Sequence, residues 1–195
     1  MEKQNIGYQV RSIPAHLEVR AADGENAPRI EGYFAVFNSV YDMGYGMSEE
    51  IDQHAFDGAL SDDIRALINH DDTLVLGRTQ AGTLRLRVDD HGLWGSIDVN
   101  PKDSDAMNLY ARVERGDVNQ CSIGFEIIEQ DTEIRDGGEK IHWKIKRVNL
   151  YEVSPCTFPA YEATSIDARK KDADTCRKNA GKAWAERALK KLKGE

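Results

Sequence analysis

The sequence predicts an α+β protein whose body is built mostly of short antiparallel strands. Segments rich in β-branched and aromatic residues recur between turn signals along most of the chain. One of them, residues 84–88, alternates strictly between Leu or Val and Arg. Within the body, only residues 103–115 have clear helical spacing. Many short strands separated by turns favour a barrel or a sandwich over a parallel α/β sheet.

The strand predictions follow the chain up to residue 153. The predicted strands are residues 29–38, 84–88, 93–99, 121–128 and 140–153. We expect 84–88 and 93–99 to pair as a hairpin, because Asp90-His91-Gly92 between them is a turn signal. In the last strand the apolar residues change parity, which predicts a bulge near Lys146–Arg147.

Helices and loops complete the predicted architecture. Residues 103–115 should form a helix that begins at a polar capping residue and ends at Gly116. Residues 40–50 contain glycines and show no periodicity, which predicts a loop, and a short helical turn is expected at 53–60. Residues 170–193 are basic and amphipathic, which predicts a C-terminal helical tail.

The charge of the chain is divided unevenly. The 195 residues carry a net charge of -8, yet residues 165–195 contain ten Lys or Arg against five Asp or Glu. The tail is therefore +5 and residues 1–164 are -13. We predict two units, a domain at 1–164 and a basic helical or flexible tail at 165–195. The acidic body argues against direct nucleic-acid binding, because phosphates would be repelled.

Composition excludes several other classes of protein. Hydrophobic residues make up 40% of the chain, enough for a core, and no apolar run approaches the ~20 residues of a membrane helix. The first residues contain no apolar stretch typical of a secretion signal. Three cysteines, Cys121, Cys156 and Cys176, form neither a disulfide framework nor a CxxC metal motif. We expect a cytosolic chain without metal or cofactor.

Two residues in the body are candidates for nucleophilic catalysis. His70 follows an apolar stretch and is flanked by carboxylates, so it could act as a general base, or it is a strand-end histidine in a polar turn. Ser122 points away from the apolar face of its strand, which carries Cys121, Ile123, Phe125 and Ile127. Gly124 shares its face and leaves the hydroxyl uncrowded, although a solvent-facing serine fits the same pattern.

A carboxylate and a second histidine compete for a third role. Glu152 lies between Tyr151 and Val153, so it is either exposed or retained to orient another group. His142 lies on the same predicted strand run after Ser122 and could fill that role instead. The residues alone leave both possibilities open.

Five segments together resemble the prohead maturation protease family of tailed phages. The first segment is 69–78, in which NHD and GR are separated by five residues. The second is SIGF at 122–125, and the third is LYEVSPCTFPAY at 150–161. Upstream, IEGYFAVFNSVYD at 30–42 and EEIDQHAF at 49–56 resemble the opening region of the family. That family is similar in fold to the herpesvirus assemblin serine proteases.

The resemblance covers about residues 29–164 and implies a fold and a site. The implied fold is a closed, mostly antiparallel β-barrel of about six to eight strands, flanked by a few helices. The implied site has Ser122 as nucleophile, His70 as general base and Glu152 as third member. His142 remains a rival because the herpesvirus relatives use a second histidine. One departure is His54, where the family pattern has a glycine.

The resemblance also implies a biological role. A serine endopeptidase of this kind would cleave the scaffold-like segment of the major capsid protein, and itself, inside an assembling procapsid in the bacterial cytoplasm. Homo-oligomers are a further expectation, whereas membranes are not. The turn between Pro155 and Pro159 is a candidate region for the oxyanion hole. The alternatives are a catalytically inactive barrel that serves capsid assembly, and a nucleic-acid binder that acts through its basic tail.

Overall fold

The computed structural model describes residues 6–14, 17–24, 27–158 and 163–193. Its strands are β1 (Ile6–Pro14), β2 (Glu18–Arg20), β3 (Arg29–Val36), β4 (Tyr41–Gly44), β5 (Met47–Ile51), β6 (Arg65–Ile68), β7 (Asp71–Arg78), β8 (Leu84–Val88), β9 (Gly92–Asp98), β10 (Gln120–Arg135) and β11 (Lys140–Cys156). Its α-helices are α1 (Ser104–Arg115) and α2 (Ala163–Lys193), and 3₁₀ turns lie at Ala59–Ser61 and Asp136–Gly138. The α+β class predicted from the sequence is confirmed.

The strands form two sheets. The larger sheet has seven strands in the order β1-β10-β11-β5-β4, with β6 paired to β11 and β7 paired to β6. The smaller sheet has the order β2-β3-β9-β8. Strands β5 and β6 both run parallel to β11, along its first and last parts respectively. The long β10–β11 hairpin is therefore the centre of the larger sheet. Strand β1 pairs with β10, and β5 and β6 pair with β11.

The closed barrel is not supported by the structure. In the described ranges the eleven strands form two open sheets instead of one closed sheet of six to eight strands. The physical reason is that the alternation of apolar and polar residues shows only which face of a strand is buried. Strands in barrels and in packed sheets have the same alternation. It does not state which strands pair, and the pairings of β11 with β5 and β6 are distant in sequence.

Several local predictions are confirmed. Strands β8 and β9 pair antiparallel across the predicted turn. Helix α1 begins where the Asp103 side chain accepts hydrogen bonds from the backbone N–H groups of Asp105 and Ala106, and it ends at Gly116. The register of β10 against β11 shifts opposite residues 145–148, where the bulge was predicted.

The segment at residues 40–50 was wrongly predicted as a loop. It contains the β4–β5 hairpin, whose turn residues Tyr45 and Gly46 have φ of 55° and 72°. A side chain at Gly46 would collide with the carbonyl oxygen of Glu139, so only glycine fits there. Both strands are short, which leaves too few residues for an alternation signal.

One hydrophobic core joins the two sheets and α1. Phe34 of β3, Phe125 of β10 and Leu109 of α1 are each at most 2% exposed and belong to the same buried cluster. Burying large side chains of this kind contributes roughly 1.5–3 kcal/mol each. The apolar face predicted for β10 is confirmed, because its alternate residues from Cys121 to Ile127 are buried. The opposite face of β10 carries Ser122 and Gly124, which are also buried.

Helix α2 packs on the body through a buried arginine. Arg169 is fully buried, donates to the carboxylate of Glu49 and lies 4.6 Å over the ring of Trp143. Burial alone would raise the pKa of Glu49, but Arg11 and Arg169 outweigh it and lower that pKa to about 2. The predicted boundary at Thr164 stays a prediction. Neither described helix is long and apolar enough to cross a membrane.

Candidate active site

Strands β10 and β11 place a row of small and polar residues on one face. Directly opposed residues of an antiparallel pair share a face of the sheet. The opposed pairs here are Gly124 with Glu152, Ser122 with Ser154, and Gln120 with Cys156. A side chain at Gly124 would collide with Glu152 Oε1, so the glycine makes room for the carboxylate. Two of the three predicted site residues thus lie on neighbouring strands of one face.

His70 reaches this face from the tight turn between β6 and β7. Asn69 and His70 have φ of 52° and 63°, a left-handed conformation that favours glycine in two-residue hairpin turns. The turn is fastened to the end of β11: the Asn69 N–H donates to the Pro155 carbonyl at 3.1 Å, and the Thr157 N–H donates to Asn69 Oδ1 at 2.8 Å. A strained histidine held by its surroundings is typical of functional sites.

The structure brings His70 and Glu152 together. Nδ1 of His70 lies 2.6 Å from Oε1 of Glu152, whose side chain is 5% exposed. The Tyr8 hydroxyl donates to Oε1 at 2.9 Å, and the Ser154 hydroxyl donates to Oε2 at 2.6 Å. Because an ionised carboxylate only accepts hydrogen bonds, Nδ1 carries the proton and Nε2 of a neutral ring is left as an acceptor. This is the tautomer that a general base needs.

The Ser122 hydroxyl points toward β1 rather than toward His70. Ser122 is fully buried, and its Oγ donates to the Arg11 carbonyl at 2.9 Å. Within the described residues no hydrogen bond joins it to His70. Nε2 of His70 instead lies 3.6 Å from Sγ of Cys156, and that thiol donates to the Ser154 carbonyl.

His142 lies at the other end of β11. Its Nδ1 is 2.9 Å from the Ser48 hydroxyl, and its Nε2 is 3.9 Å from Oε1 of Glu50. His142 precedes Glu152 by ten residues on one strand, which at ~3.3 Å per residue corresponds to about 30 Å. The rival third member is therefore remote from His70 in this structure.

The comparisons with known proteins place this chain in a family. The family model of the caudovirus prohead serine protease matches residues 15–179. The chain belongs to the caudovirus prohead serine protease family. The prohead protease of Enterobacteria phage HK97 is 33% identical over 144 residues, which make up 72% of this chain and 59% of that protein. The chain thus spans less than two thirds of that relative's length.

A solved structure is also similar to this chain. It is the bacteriophage T4 capsid assembly protease, with a TM-score of 0.44 and 9% sequence identity. The match covers 77% of this chain and 99% of the T4 chain.

Four residues at the site of this prohead protease family member were missed from sequence. They are Tyr8, Asn69, Ser154 and Cys156. Ser154 and Cys156 follow Glu152 at two-residue intervals, so the alternation of β11 could have placed both on the same face as Glu152. Tyr8 had no such signal, because β1 was not assigned as a strand. Cys121, on the opposite face, is core as predicted, and burial raises the pKa of its thiol.

A cleft opens beside the His70–Glu152 pair. It has a volume of about 390 Å³. Its lining residues are Tyr8, Arg65, Leu67, His70, Asp72, Tyr151 and Glu152. The rings of Tyr8 and Tyr151 lie 6.2 Å apart, and both side chains are about half exposed. The cleft gives solvent access to the carboxylate side of His70.

Proposed function

We propose that this chain is a serine endopeptidase with Ser122 as nucleophile, His70 as general base and Glu152 as orienting carboxylate. The observation that carries the proposal is the 2.6 Å contact between His70 Nδ1 and Glu152 Oε1, on the strand face that Ser122 shares. Membership of the prohead serine protease family supports it. The rival His142 lacks this support, because it bonds with Ser48 instead.

The proposed chemistry follows the roles of a serine protease triad. Ser122 Oγ attacks the carbonyl carbon of the scissile peptide, and its proton passes to Nε2 of His70. Glu152 stabilises the imidazolium that forms. The C–N bond then breaks, the leaving amine takes the proton from His70, and an acyl-enzyme remains on Ser122. Water, deprotonated by His70, hydrolyses the ester and regenerates the serine, so no metal or cofactor is needed.

In this proposal Ser122 must turn before it reacts. The His70 ring extends along β11 from Glu152 toward Cys156, and Ser154 lies between those two residues in the strand. Ser122 is paired directly with Ser154, so their Cβ atoms are expected about 4.5–5.5 Å apart. Rotating Ser122 about χ1 from the β1 side to the β11 side would bring Oγ toward the ring. The rotation gives up one hydrogen bond to Arg11, worth about 1 kcal/mol.

The proposed substrates are proteins of the assembling phage capsid. We propose cleavage of the scaffold-like segment of the major capsid protein and of the chain itself, inside the procapsid in the host cytoplasm. The support is the family match and the name of the HK97 relative, "Prohead protease". Homo-oligomerisation, the oxyanion hole after Glu152, and a tail that begins near Thr164 belong to the same proposal.

A second candidate function is an inactive assembly factor. One observation favours it, namely that Ser122 is fully buried and bonded to the Arg11 carbonyl. An inactive homologue would keep the fold and its contacts with capsid proteins without cleaving them. The two candidates differ in whether any product depends on Ser122.

Co-expression with the cognate capsid protein separates the two candidates. The chains to compare are wild type, Ser122→Ala and Ser48→Ala. Ser48 is a control because its hydroxyl lies 2.9 Å from Nδ1 of His142, the rival histidine. We expect Ser122→Ala to abolish processing, a loss of up to about 10⁶ in rate by analogy with other serine proteases. Ser48→Ala should process like wild type.

Mass spectrometry of the termini of every product identifies the cleavage junctions. Processing by Ser122→Ala would show that the nucleophile is assigned wrongly. Absence of any processing in wild type, with capsid assembly still dependent on the chain, would favour the inactive assembly factor.

A further inference from the structure

We propose that Ser154 is a positioning residue that holds Glu152 and His70 in register, a role that rests on the proposed protease function. Its hydroxyl donates to Oε2 of Glu152 at 2.6 Å and accepts the backbone N–H of His70 at 3.3 Å. One oxygen atom therefore joins the orienting carboxylate to the main chain of the general base. Ser154 is fully buried, so this bridge is shielded from competing water.

The bridge fixes the carboxylate on the side away from His70. Oε1 of Glu152 binds the imidazole, and Oε2 is held by Ser154. Without the second contact, only the bonds of Oε1 to His70 and Tyr8 restrain the terminal torsion of the carboxylate, which is broad for glutamate. Such a rotation would misdirect the proton of Nδ1 and with it the lone pair of Nε2.

The bridge also fixes the backbone of a strained turn. His70 has a φ of 63°, a conformation that costs a non-glycine residue free energy. Ser154 adds a bond at His70 itself to the anchors that Asn69 makes with Pro155 and Thr157. A misplacement of about 1 Å at a catalytic group can cost ~10²-fold in rate. Ser154 would thus act through two other residues without touching the substrate.

The smaller sheet provides a matched control. Ser96 of β9 is 2% exposed, and its hydroxyl donates to Oε1 of Glu31 at 3.0 Å. Ser96→Ala therefore removes the same atom from the same type of partner at comparable burial. Like Ser154→Ala, it should lower the free energy of unfolding, because it leaves a carboxylate one donor short. It should not alter the His70–Glu152 pair.

The first test is kinetic. Steady-state rates are measured for wild type, Ser154→Ala, Ser154→Cys and Ser96→Ala on a peptide copied from a junction mapped by mass spectrometry. We expect Ser154→Ala to lower kcat by ~10²-fold with KM nearly unchanged. Ser154→Cys, similar in size but a weaker donor, should give a smaller loss of kcat, and it replaces Ser154→Ala if that variant does not fold. Ser96→Ala should keep the kcat of wild type.

The second test does not depend on activity. In a Ser122→Ala background, which prevents self-cleavage, proton NMR follows the Nδ1–H resonance of His70. We expect the resonance to be sharp in the background chain and after Ser96→Ala. It should broaden or disappear after Ser154→Ala, because the bond to Glu152 is no longer held.

The combined outcomes separate the two proposals. If Ser154→Ala keeps both kcat and the resonance, or loses no more kcat than Ser96→Ala, the positioning role is overturned. If the resonance responds to Ser154→Ala while wild type cleaves nothing, the positioning role stands and the protease function fails.

Discussion

The two ends of β11 contain the same three residue types in different arrangements. At one end His70 contacts Glu152 on the strand face that also carries Ser122. At the other end His142 lies between Ser48 and Glu50. Both groups consist of Ser, His and Glu. Of the two, only the His70 group has a carboxylate within hydrogen-bond distance of the imidazole. Composition alone would not choose between them.

The partners of the two carboxylates differ most. Glu152 accepts hydrogen bonds from the neutral hydroxyls of Tyr8 and Ser154. Glu50 instead forms an ion pair with Lys144 at 2.8 Å, and the hydrogen bond to Glu50 is the main reason that the pKa of Lys144 is raised. A carboxylate whose charge is already neutralised by a lysine stabilises an imidazolium less. The neutral donors leave the charge of Glu152 available to His70.

The larger of the two adjoining clefts does not lie beside the proposed site. The cleft beside His142 has a volume of about 790 Å³, roughly twice the 390 Å³ of the cleft beside His70. Its lining combines Asp and Glu with Lys and Arg, including Glu50 and Lys144. The proposed site therefore rests on convergent polar groups and not on the volume of its cleft.

The largest expected effect that tests this comparison is the loss of kcat when Glu152 is replaced, measured beside the same replacement of Glu50. Glu152→Gln removes the charge and allows the wrong imidazole tautomer, so kcat should fall by about 10⁴. Glu50→Gln breaks a partly exposed ion pair and should leave kcat within about twofold of wild type. Both rates are measured on the junction peptide. Equal losses in the two variants would mean that the His142 end takes part in the reaction.

A smaller effect is expected from the turn that carries His70. Asn69→Ala places alanine at a φ of 52° and removes the acceptor of the Thr157 N–H. Asn38→Ala is matched, because Asn38 is also exposed and also has a φ of 52°. Each variant should lose about 1–2 kcal/mol of unfolding free energy, measured by urea denaturation. Only Asn69→Ala should also lose kcat, by roughly tenfold through a displaced His70; an unchanged kcat would show that the turn tolerates movement.

Sequence reasoning predicted those features that short segments encode. The β8–β9 hairpin follows from Asp90-His91-Gly92, and α1 follows from its spacing and from Gly116. The pairing of His70 with Glu152 was expected only from the family resemblance, because the two lie 82 residues apart. The two open sheets could not be predicted, since the parallel pairing of β5 and β6 with β11 has no local signal. Nor could the direction of the Ser122 hydroxyl, which depends on the Arg11 carbonyl of β1.

The smallest expected effect concerns the atom that faces Nε2 of His70. That atom is Sγ of Cys156, at 3.6 Å, and the cysteine is 1% exposed. If Ser122 is the nucleophile, Cys156 only packs against the ring, and Cys156→Ala should keep kcat within about threefold of wild type. If Cys156→Ala instead loses as much activity as Ser122→Ala, the thiol takes part in the reaction. Measuring both variants on the junction peptide therefore decides whether His70 acts as base for Ser122 Oγ or for Cys156 Sγ.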